Sequence, residues 1–201
     1  MPKERLKSPR ARLFVALDVP ESVREGLGAW GARALADPAL RPVPADNLHV
    51  TLAFLGWCWE KDIPRIAEVV HGVRAGQPEM AFSPEPVPVR WRGATSLYAL
   101  EIASPDTVEL QAGVEERLVA AGLYEPEKRP FWPHITVARV RREKGGKRRY
   151  REVEEPPSGL PEGLLGLIRG VRITLYRSKT MPRGAEYTPL AQLELPSDGG
   201  G

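Results

Sequence analysis

The sequence contains an internal repeat at a constant offset, which limits the folds open to it. His49 in N-L-H-V-T-L and His134 in P-H-I-T-V-A lie 85 positions apart, and each is followed by threonine two residues later. Pro20 and Pro105, which open P-E-S-V and P-D-T-V, are also 85 positions apart. The apolar residues before these prolines match at the same offset, Val15 with Leu100 and Leu17 with Ile102. Such agreement predicts two copies of one β–α–β unit.

Each copy shows the pattern of a strand, a helix and a second strand that carries the histidine. In the first copy, R-L-F-V-A-L-D-V is typical of a strand that ends at Pro20, and a helix is predicted over residues 20–36. In the second copy, a strand is predicted over residues 96–103 and a helix over residues 105–122. The remaining chain predicts a helix over 62–75, a proline-broken edge strand over 80–91, a short helix over 161–170, and strands over 171–177 and 187–195.

These elements predict an α+β protein with two sheets and helices packed outside them. We expect a single domain over residues 1–201. The first repeat would take up residues 11–95 and the second residues 96–195, followed by a loose tail at 196–201.

The histidine strands combine an apolar face with a polar one. Residues two apart in a strand point to the same face, so His49 projects with Thr51, and His134 projects with Thr136. Strict alternation directs the following residues into the core: Leu48, Val50, Leu52 and Phe54 in the first strand, and Ile135 and Val137 in the second. The third histidine, His71, lies off the apolar stripe of its helix and is expected at the surface.

Two imidazoles and two hydroxyls favour phosphodiester cleavage over the other chemistries considered. No serine lies in a G-x-S-x-G context, and no acid accompanies either histidine motif. Zinc would need further ligands, and neither H-E-x-x-H nor C-x-x-C is present. One neutral imidazole can take a proton from water while a protonated one gives a proton to the leaving oxygen, and hydroxyls can hold the phosphate. No metal and no cofactor are expected.

Several other residues are candidates for supporting roles. Arg139 follows His134 by an odd number of residues, so it reaches the phosphate only if a bulge intervenes. Phe131 and Trp132 could stack a base, although aromatic residues there more often form core or cleft wall. Cys58 has no evident basic partner, so burial is favoured over reactivity.

The charge distribution points to a polyanionic partner. The formal net charge is only +3, but residues 139–151 contain eight basic side chains and one acid, and Lys3–Arg12 is a second basic stretch. This pattern fits nucleic acid, and it also fits a solvated hairpin with Gly145 and Gly146 at its tip. One cysteine, no apolar run of about 20 residues and no secretory signal predict a cytoplasmic, disulfide-free protein without a membrane partner. No obligate protein partner is predicted, and a monomer is expected.

The tandem motifs resemble those of the 2H phosphoesterase superfamily. F-V-A-L-D, N-L-H-V-T-L-A-F-L-G, P-H-I-T-V-A-R, V-R-I-T-L-Y-R-S and Y-T-P-L are similar to its RNA 2′,3′-cyclic phosphodiesterase branch, also called the 2′-5′ RNA ligase family. The resemblance implies a single bilobal α+β domain, with two pseudo-symmetric lobes whose antiparallel sheets line a central cleft. It also implies an enzyme that opens RNA 2′,3′-cyclic phosphates to 2′-phosphates. It implies His49 as proton donor, His134 as proton acceptor, and Thr51 and Thr136 as phosphate ligands. Arg139 resembles the arginine of the family at that point.

Two alternatives stay open at this stage. The chain could be a non-catalytic module that binds RNA or nucleotides through the same cleft and the basic hairpin at 139–151. It could also be an enzyme that joins RNA through a 2′-5′ linkage or acts on small cyclic nucleotides. A binding module has little need for two matched imidazoles, whereas acid–base catalysis uses both.

Overall fold

The computed structural model describes residues 9–143, 149–181 and 184–197. The helices and strands in this part of the chain are β1 (Arg10–Asp18), α1 (Glu21–Ala34), β2 (Leu40–Pro42), β3 (Val50–Trp59), α2 (Ile63–His71), β4 (Glu79–Phe82), β5 (Val87–Trp91), β6 (Ala94–Ala103), α3 (Pro105–Ala120), β7 (His134–Val140), β8 (Ile168–Arg169), β9 (Arg172–Met181) and β10 (Gly184–Glu194). Single 3₁₀ turns cover Ala45–Asn47, Glu60–Asp62 and Glu162–Leu164. No described helix has both the length and the apolar character needed to cross a bilayer.

The strands form a curled antiparallel sheet with two lobes. The strand order is β10-β9-β1-β3-β7-β6-β4-β8, with β2 beside β7 and β5 beside β6. Lobe 1 contains β10, β9, β1 and β3, and lobe 2 contains the strands around β7 and β6. The lobes meet where Val50 of β3 pairs with Ile135 of β7, and both side chains are fully buried. The bilobal α+β fold is therefore confirmed, with the two expected sheets joined at the histidine strands.

Each half of the sequence contributes strands to the lobe of the other half. Strands β9 and β10 come late in the chain and extend the edge of β1 in lobe 1. Strands β4 and β5 come from the first half and pair with β6 in lobe 2. The sequence repeats and the spatial lobes consequently differ in their boundaries, although the β–α–β order of each repeat is kept.

The helices begin and end at the residues that the local chemistry favours. Ser104 caps α3, because its hydroxyl accepts a hydrogen bond from the Thr107 amide at 2.9 Å, and Pro105 occupies the first helical position. Gly122 has a φ of 67°, which ends this helix in the left-handed conformation. Helix α2 ends at His71, which is exposed as predicted, and so stops short of the predicted end at residue 75.

The proline-broken strand predicted over 80–91 is present as β4 and β5, with the break at its prolines. Two other details of the predicted element pattern are wrong. The segment 161–170 forms a 3₁₀ turn and the short strand β8 rather than a helix, because three glycines in ten residues disfavour helix formation. Leu17 pairs with Val50 and Leu100 pairs with Ile135, so the first strands of the repeats correspond at an offset of 83 rather than 85.

Both histidine strands contain a β-bulge at equivalent positions. In β3, Leu52 is the extra residue, since Val15 pairs with Ala53 while Ala16 pairs with Thr51. In β7, Val137 is the extra residue, since Tyr98 pairs with Ala138 while Ala99 pairs with Thr136. The two bulges are again 85 positions apart. In each of them two consecutive residues are buried, which reverses the alternation of faces for the residues that follow. In β3 a second irregularity leaves Leu55 unpaired, because Phe14 pairs with Phe54 while Leu13 pairs with Gly56, and the alternation is reversed again there.

The bulges explain why Phe54 is not in the core, where it had been predicted, and how Arg139 reaches the cleft. Phe54 was expected in the core, but it lies beyond the bulge of β3, lines the cleft and is 40% exposed. Arg139 occupies the equivalent position in β7 and is brought to the cleft by the bulge there.

Parts of the basic segments lie outside the described residues. Within the segment 139–151, Arg142 and Tyr150 form an antiparallel bridge, as expected for the base of a hairpin, but residues 144–148 with Gly145 and Gly146 are not among the described residues. The same holds for residues 3–8 of the basic stretch Lys3–Arg12, and for 198–201 of the tail.

Candidate active site

The junction of the two lobes forms the floor of a cleft of about 910 Å³. Its lining includes His49, Thr51, His134, Thr136 and Arg139. These five side chains were predicted from two segments far apart in the sequence, and the structure brings them together in one site.

The pairing of β3 with β7 sets the arrangement of the four motif side chains. Val50 pairs with Ile135 in antiparallel register, so His49 lies across from Thr136 and Thr51 lies across from His134. The histidines are then diagonal neighbours, for which the Cα separation is roughly 7–8 Å. Both imidazoles therefore project from neighbouring positions into the same cleft.

The backbone fixes the same ring nitrogen in both histidines. Nδ1 of His49 lies 2.8 Å from the carbonyl oxygen of Asn47, and Nδ1 of His134 lies 2.7 Å from the carbonyl oxygen of Trp132. A carbonyl oxygen only accepts hydrogen bonds, so Nδ1 carries a proton in each ring. Nε2 is left as the nitrogen that can exchange a proton in the cleft.

The two Nε2 atoms differ in their contacts. Nε2 of His49 lies 3.1 Å from Oγ1 of Thr51. When His49 is neutral, this nitrogen accepts the hydrogen bond and the threonine hydroxyl donates it. Nε2 of His134 has no hydrogen-bond partner within the described parts of the chain.

Aromatic side chains surround His49 more completely than His134. The ring of Phe14 stacks on His49 at a centroid distance of 4.9 Å, Tyr187 contacts it edge-on at 5.4 Å, and Tyr176 lies 6.2 Å away. His134 has one such contact, a stacked Trp132 ring at 4.2 Å.

Burial makes both imidazoles weaker bases than free histidine. It lowers the pKa of His49 to about 4, and the positive charges of His134 and Arg139 act in the same direction against the Asn47 carbonyl and Asp18. Burial also lowers the pKa of His134, with Arg139 adding to the effect and the Trp132 carbonyl opposing it. Both rings are accordingly neutral near pH 7 in the free protein.

A buried carboxylate near His49 was not found from the sequence. Asp18 is 5% exposed and accepts hydrogen bonds from Thr174 at 2.7 Å, Arg172 at 2.9 Å and Tyr176 at 3.0 Å. Burial and the neighbouring Asp18 raise the pKa of Tyr176 to about 12. These contacts use both oxygens of Asp18, so it anchors the aromatic wall behind His49 rather than pairing with the ring. Its partners lie more than 150 positions away, where no local pattern could reveal them.

Arginines line the cleft from both lobes. Arg139 contributes from β7, and Arg12 contributes from β1, where its guanidinium carbon lies 4.7 Å from the centroid of the Phe54 ring. Further arginines on the lining are Arg41, Arg141, Arg142 and Arg151. The cleft is therefore suited to an anion.

The remaining candidates lie beside the cleft rather than on its lining. Phe131 is half-buried against the core, and Trp132 stacks on His134 while its Nε1 donates to Glu101 at 2.8 Å. Cys58 is half-buried, and burial raises the pKa of its thiol, which agrees with the expectation of an unreactive cysteine. Among the described residues, no three His, Cys, Asp or Glu side chains group together as metal ligands would.

Comparison with known proteins agrees with this geometry. The model of the family described as LigT-like phosphoesterase matches residues 17–85. The RNA 2′,3′-cyclic phosphodiesterase of Thermus thermophilus is 32% identical over 200 residues, which cover 94% of this chain and 92% of the relative. The chain belongs to the LigT-like family of 2H phosphoesterases. The resemblance inferred from the tandem histidine motifs is thus confirmed.

Solved structures show that the phosphoesterase also shares the family fold. A crystal structure from Thermus thermophilus superposes with a TM-score of 0.71 at 26% identity, covering 93% of this chain and 99% of the other. Escherichia coli LigT complexed with 3′-AMP superposes with a TM-score of 0.69 at 26% identity, covering 94% and 100% of the two chains.

Proposed function

We propose that this phosphoesterase hydrolyses the terminal 2′,3′-cyclic phosphate of RNA to a 2′-phosphate, with His49 and His134 as its acid–base pair. The observation that carries the proposal is the matched presentation of two imidazoles. One comes from each lobe, each has Nδ1 held by a backbone carbonyl, and both line a single cleft.

The reaction needs one proton removed and one delivered. Neutral His134 takes a proton from water through Nε2 as the water oxygen attacks phosphorus. The bond between phosphorus and O3′ breaks, and Nε2–H of His49 protonates the leaving O3′. The products are a 2′-phosphate and a 3′-hydroxyl. The assignment of donor and acceptor follows the family resemblance, since the pseudo-symmetry of the site makes the rings nearly interchangeable.

The other cleft residues stabilise the charge that develops on phosphorus. The hydroxyls of Thr51 and Thr136 bind the non-bridging oxygens, and the guanidinium of Arg139 compensates their negative charge. The threonine hydroxyl that contacts His49 in the free protein turns to the substrate when the phosphate enters.

The substrate itself raises the proton affinity of the acid. His49 is neutral at pH 7 in the free protein because its pKa is about 4. A phosphodiester anion beside Nε2 favours the protonated ring and raises that pKa. His49 therefore takes up a proton, and can act as the acid, when the anionic substrate binds.

Related proteins support the substrate class. The relative from Thermus thermophilus is named an RNA 2′,3′-cyclic phosphodiesterase, and Escherichia coli LigT has been crystallised with 3′-AMP. A nucleotide phosphate in a homologous fold agrees with a phosphate site between the two histidines. The cytoplasmic location and the monomeric state stay predictions.

The proposal is tested with an RNA oligonucleotide that ends in a 2′,3′-cyclic phosphate, in the presence of excess EDTA. We expect hydrolysis to proceed under chelation and to give the 2′-phosphate, identified by chromatography against both isomers. Activity that is lost with EDTA and restored by zinc would contradict the proposal.

The same assay separates the alternatives. Tight binding with the cyclic phosphate recovered intact would favour the non-catalytic binding module. RNA halves joined through a 2′-5′ linkage would show ligation by the same cleft. By microscopic reversibility, hydrolysis of that linkage can run in reverse at such a site, so a small joined fraction agrees with the proposal.

A further inference from the structure

The cleft floor of lobe 1 continues outward as a ladder of aromatic and arginine side chains. Further along β1 and β3 from His49 and Thr51, Phe14 lies opposite Phe54, Arg12 opposite Trp57 and Arg10 opposite Trp59. Residues that are opposite each other in an antiparallel pair point to the same face of the sheet. Residues 10, 12 and 14 are two apart along β1, so they and their partners all lie on one face. Ala11 and Leu13, which point the other way, are buried in the core. We name Arg10, Arg12, Phe54, Trp57 and Trp59 the outer ladder.

The aromatic members of the outer ladder are unusually exposed. Trp57 is 67% exposed, Phe54 40% and Trp59 37%. Three large rings in a row on one face are more apolar surface than an isolated surface aromatic would present, and such a patch indicates a binding site.

The arginines lie over these rings. The guanidinium carbon of Arg10 is 3.9 Å from the ring centroid of Trp59, and that of Arg12 is 4.7 Å from the centroid of Phe54. Neither arginine forms an ion pair within the described parts of the chain. Glu60, which lies at the same end of the sheet, is paired with Arg177 at 3.0 Å.

Flat rings interleaved with free guanidinium groups match the chemistry of single-stranded nucleic acid. Bases of any sequence stack on aromatic rings, while arginine contacts the phosphates and stacks on bases as well. An apolar protein partner would leave the charges of Arg10 and Arg12 uncompensated, whereas a polyanion neutralises them.

We propose that the outer ladder binds the single-stranded nucleotides on the 5′ side of the terminal cyclic phosphate. This inference rests on the proposed function, because a cyclic phosphate held between the histidines is the 3′ end of its strand and the rest of the RNA leaves the cleft in the 5′ direction. From Phe54, which pairs with Phe14, to Trp59, which pairs with Arg10, the outer ladder extends over about 13 Å along β1, and this length accommodates a few nucleotides.

The rim of lobe 2 is the competing path for the strand. Arg141, Arg142 and Arg151 line the cleft there, and Arg142 lies over the ring of Tyr150 at 5.4 Å. That rim provides charge with one aromatic ring. The outer ladder provides charge with three exposed rings and is the better platform for stacking.

The test compares a mononucleotide 2′,3′-cyclic phosphate with a tetranucleotide that has the same end. The measured quantity is the kcat/KM of the tetranucleotide divided by that of the mononucleotide, so the mononucleotide reports on fold and chemistry. We expect Trp57→Ala and Trp59→Ala each to lower this ratio about tenfold, the typical loss for one stacked base.

Trp91→Ala is the matched control. Trp91 is 56% exposed and has the Arg92 guanidinium 5.8 Å from its ring centroid, but it lies on β5, which pairs with β6 in lobe 2 and is not part of the outer ladder. This variant is expected to keep the wild-type ratio.

The variants Arg142→Ala and Arg151→Ala test the competing path along the rim of lobe 2. They are expected to lower the ratio less than the two ladder variants do.

Several results would overturn the inference. One is a wild-type ratio in both ladder variants, and another is a ratio that falls only in the Arg142 and Arg151 variants. Loss of self-association in sedimentation, without a change in the ratio, would assign the ladder to a protein interface instead.

If the wild-type protein hydrolyses neither substrate, the proposed function fails and the ladder is tested by binding alone. Fluorescence anisotropy with a labelled single-stranded RNA must then show weaker binding by Trp57→Ala and Trp59→Ala than by Trp91→Ala. Equal binding by all three variants would overturn the ladder independently of catalysis.

Discussion

The two catalytic candidates have the same backbone setting and different surroundings. His49 and His134 each donate Nδ1–H to the carbonyl two residues earlier, as expected of copies of one unit. His49 lies among the rings of Phe14, Tyr176 and Tyr187, whereas His134 has one stacked ring. Duplication thus explains the geometry of the pair, and the divergent neighbours place two identical side chains in different surroundings, with the pKa of His49 lowered to about 4.

The positions just after the two bulges show the same divergence. Phe54 in lobe 1 and Arg139 in lobe 2 are equivalent, and both line the cleft. Lobe 1 presents an aromatic ring, with Arg12 over it, where lobe 2 presents a cation. We expect these two positions to divide their roles, with Arg139 compensating phosphate charge and Phe54 stacking on a base.

The largest expected effect tests whether the histidines act as partners. His49→Asn and His134→Asn should each lower kcat on a cyclic-phosphate oligonucleotide by about 10²–10⁴-fold, because each ring carries one of the two proton transfers. The double variant should be little worse than either single one, since the two residues work as a unit. Near-wild-type turnover by either single variant, with its fold verified by circular dichroism, would show that the two histidines do not act as an acid–base pair.

The next largest effect concerns the buried, neutral state of His49. Its folded-state pKa of about 4 lies below the usual 6.5, so between these values the unfolded chain binds the proton more tightly. The stabilisation from neutral His49 is present above pH 6.5 and is lost as the pH falls to about 4, amounting to about 3 kcal/mol of unfolding free energy.

Urea unfolding at pH 7 and pH 4 measures this loss, and His49→Asn provides the comparison. The variant should lose less stability on acidification than the wild-type protein, while the smaller contribution of His134 remains in both. An equal loss in the two proteins would show that His49 is not the buried, uncharged ring of the pair.

The smallest of these effects separates the two post-bulge positions. Arg139→Ala should lower kcat about 10²-fold, as is typical for loss of one group that stabilises developing charge. Phe54→Ala should act mainly on KM, because an aromatic ring can stack on a base but cannot compensate charge on the phosphate. If both variants change kcat alike, the division of roles between these two positions is wrong.

Much of the fold and the centre of the site could be predicted from the sequence, because both depend on local periodicity and on a repeated motif. The histidine and threonine pairs, most of the strands and all three helices follow from such patterns. Strict alternation failed at Phe54, since Leu52 and Ala53 form a bulge that looks like any other buried pair in sequence. Val137 and Ala138 form the same bulge in the second copy. Two consecutive apolar residues at the same position of both repeats are therefore a signal for the bulge that one strand alone does not provide.

Other parts of the site could not be predicted because they depend on pairing between distant strands. Tyr176 and Tyr187 reach His49 only because β9 and β10 join the sheet of lobe 1 from the far end of the chain. The buried network around Asp18 has the same origin. Neither the sequence motif nor the offset of the repeats contains information about this exchange of strands.

The most direct test of the central claim is a crystal structure of the protein with the 2′-phosphorylated oligonucleotide product. We predict one phosphate group between the lobes, with Nε2 of His49 and Nε2 of His134 both within about 2.7–3.2 Å of its oxygens or of the adjoining 3′-hydroxyl. A phosphate held by only one of the two imidazoles, or bound outside the cleft, would contradict the account.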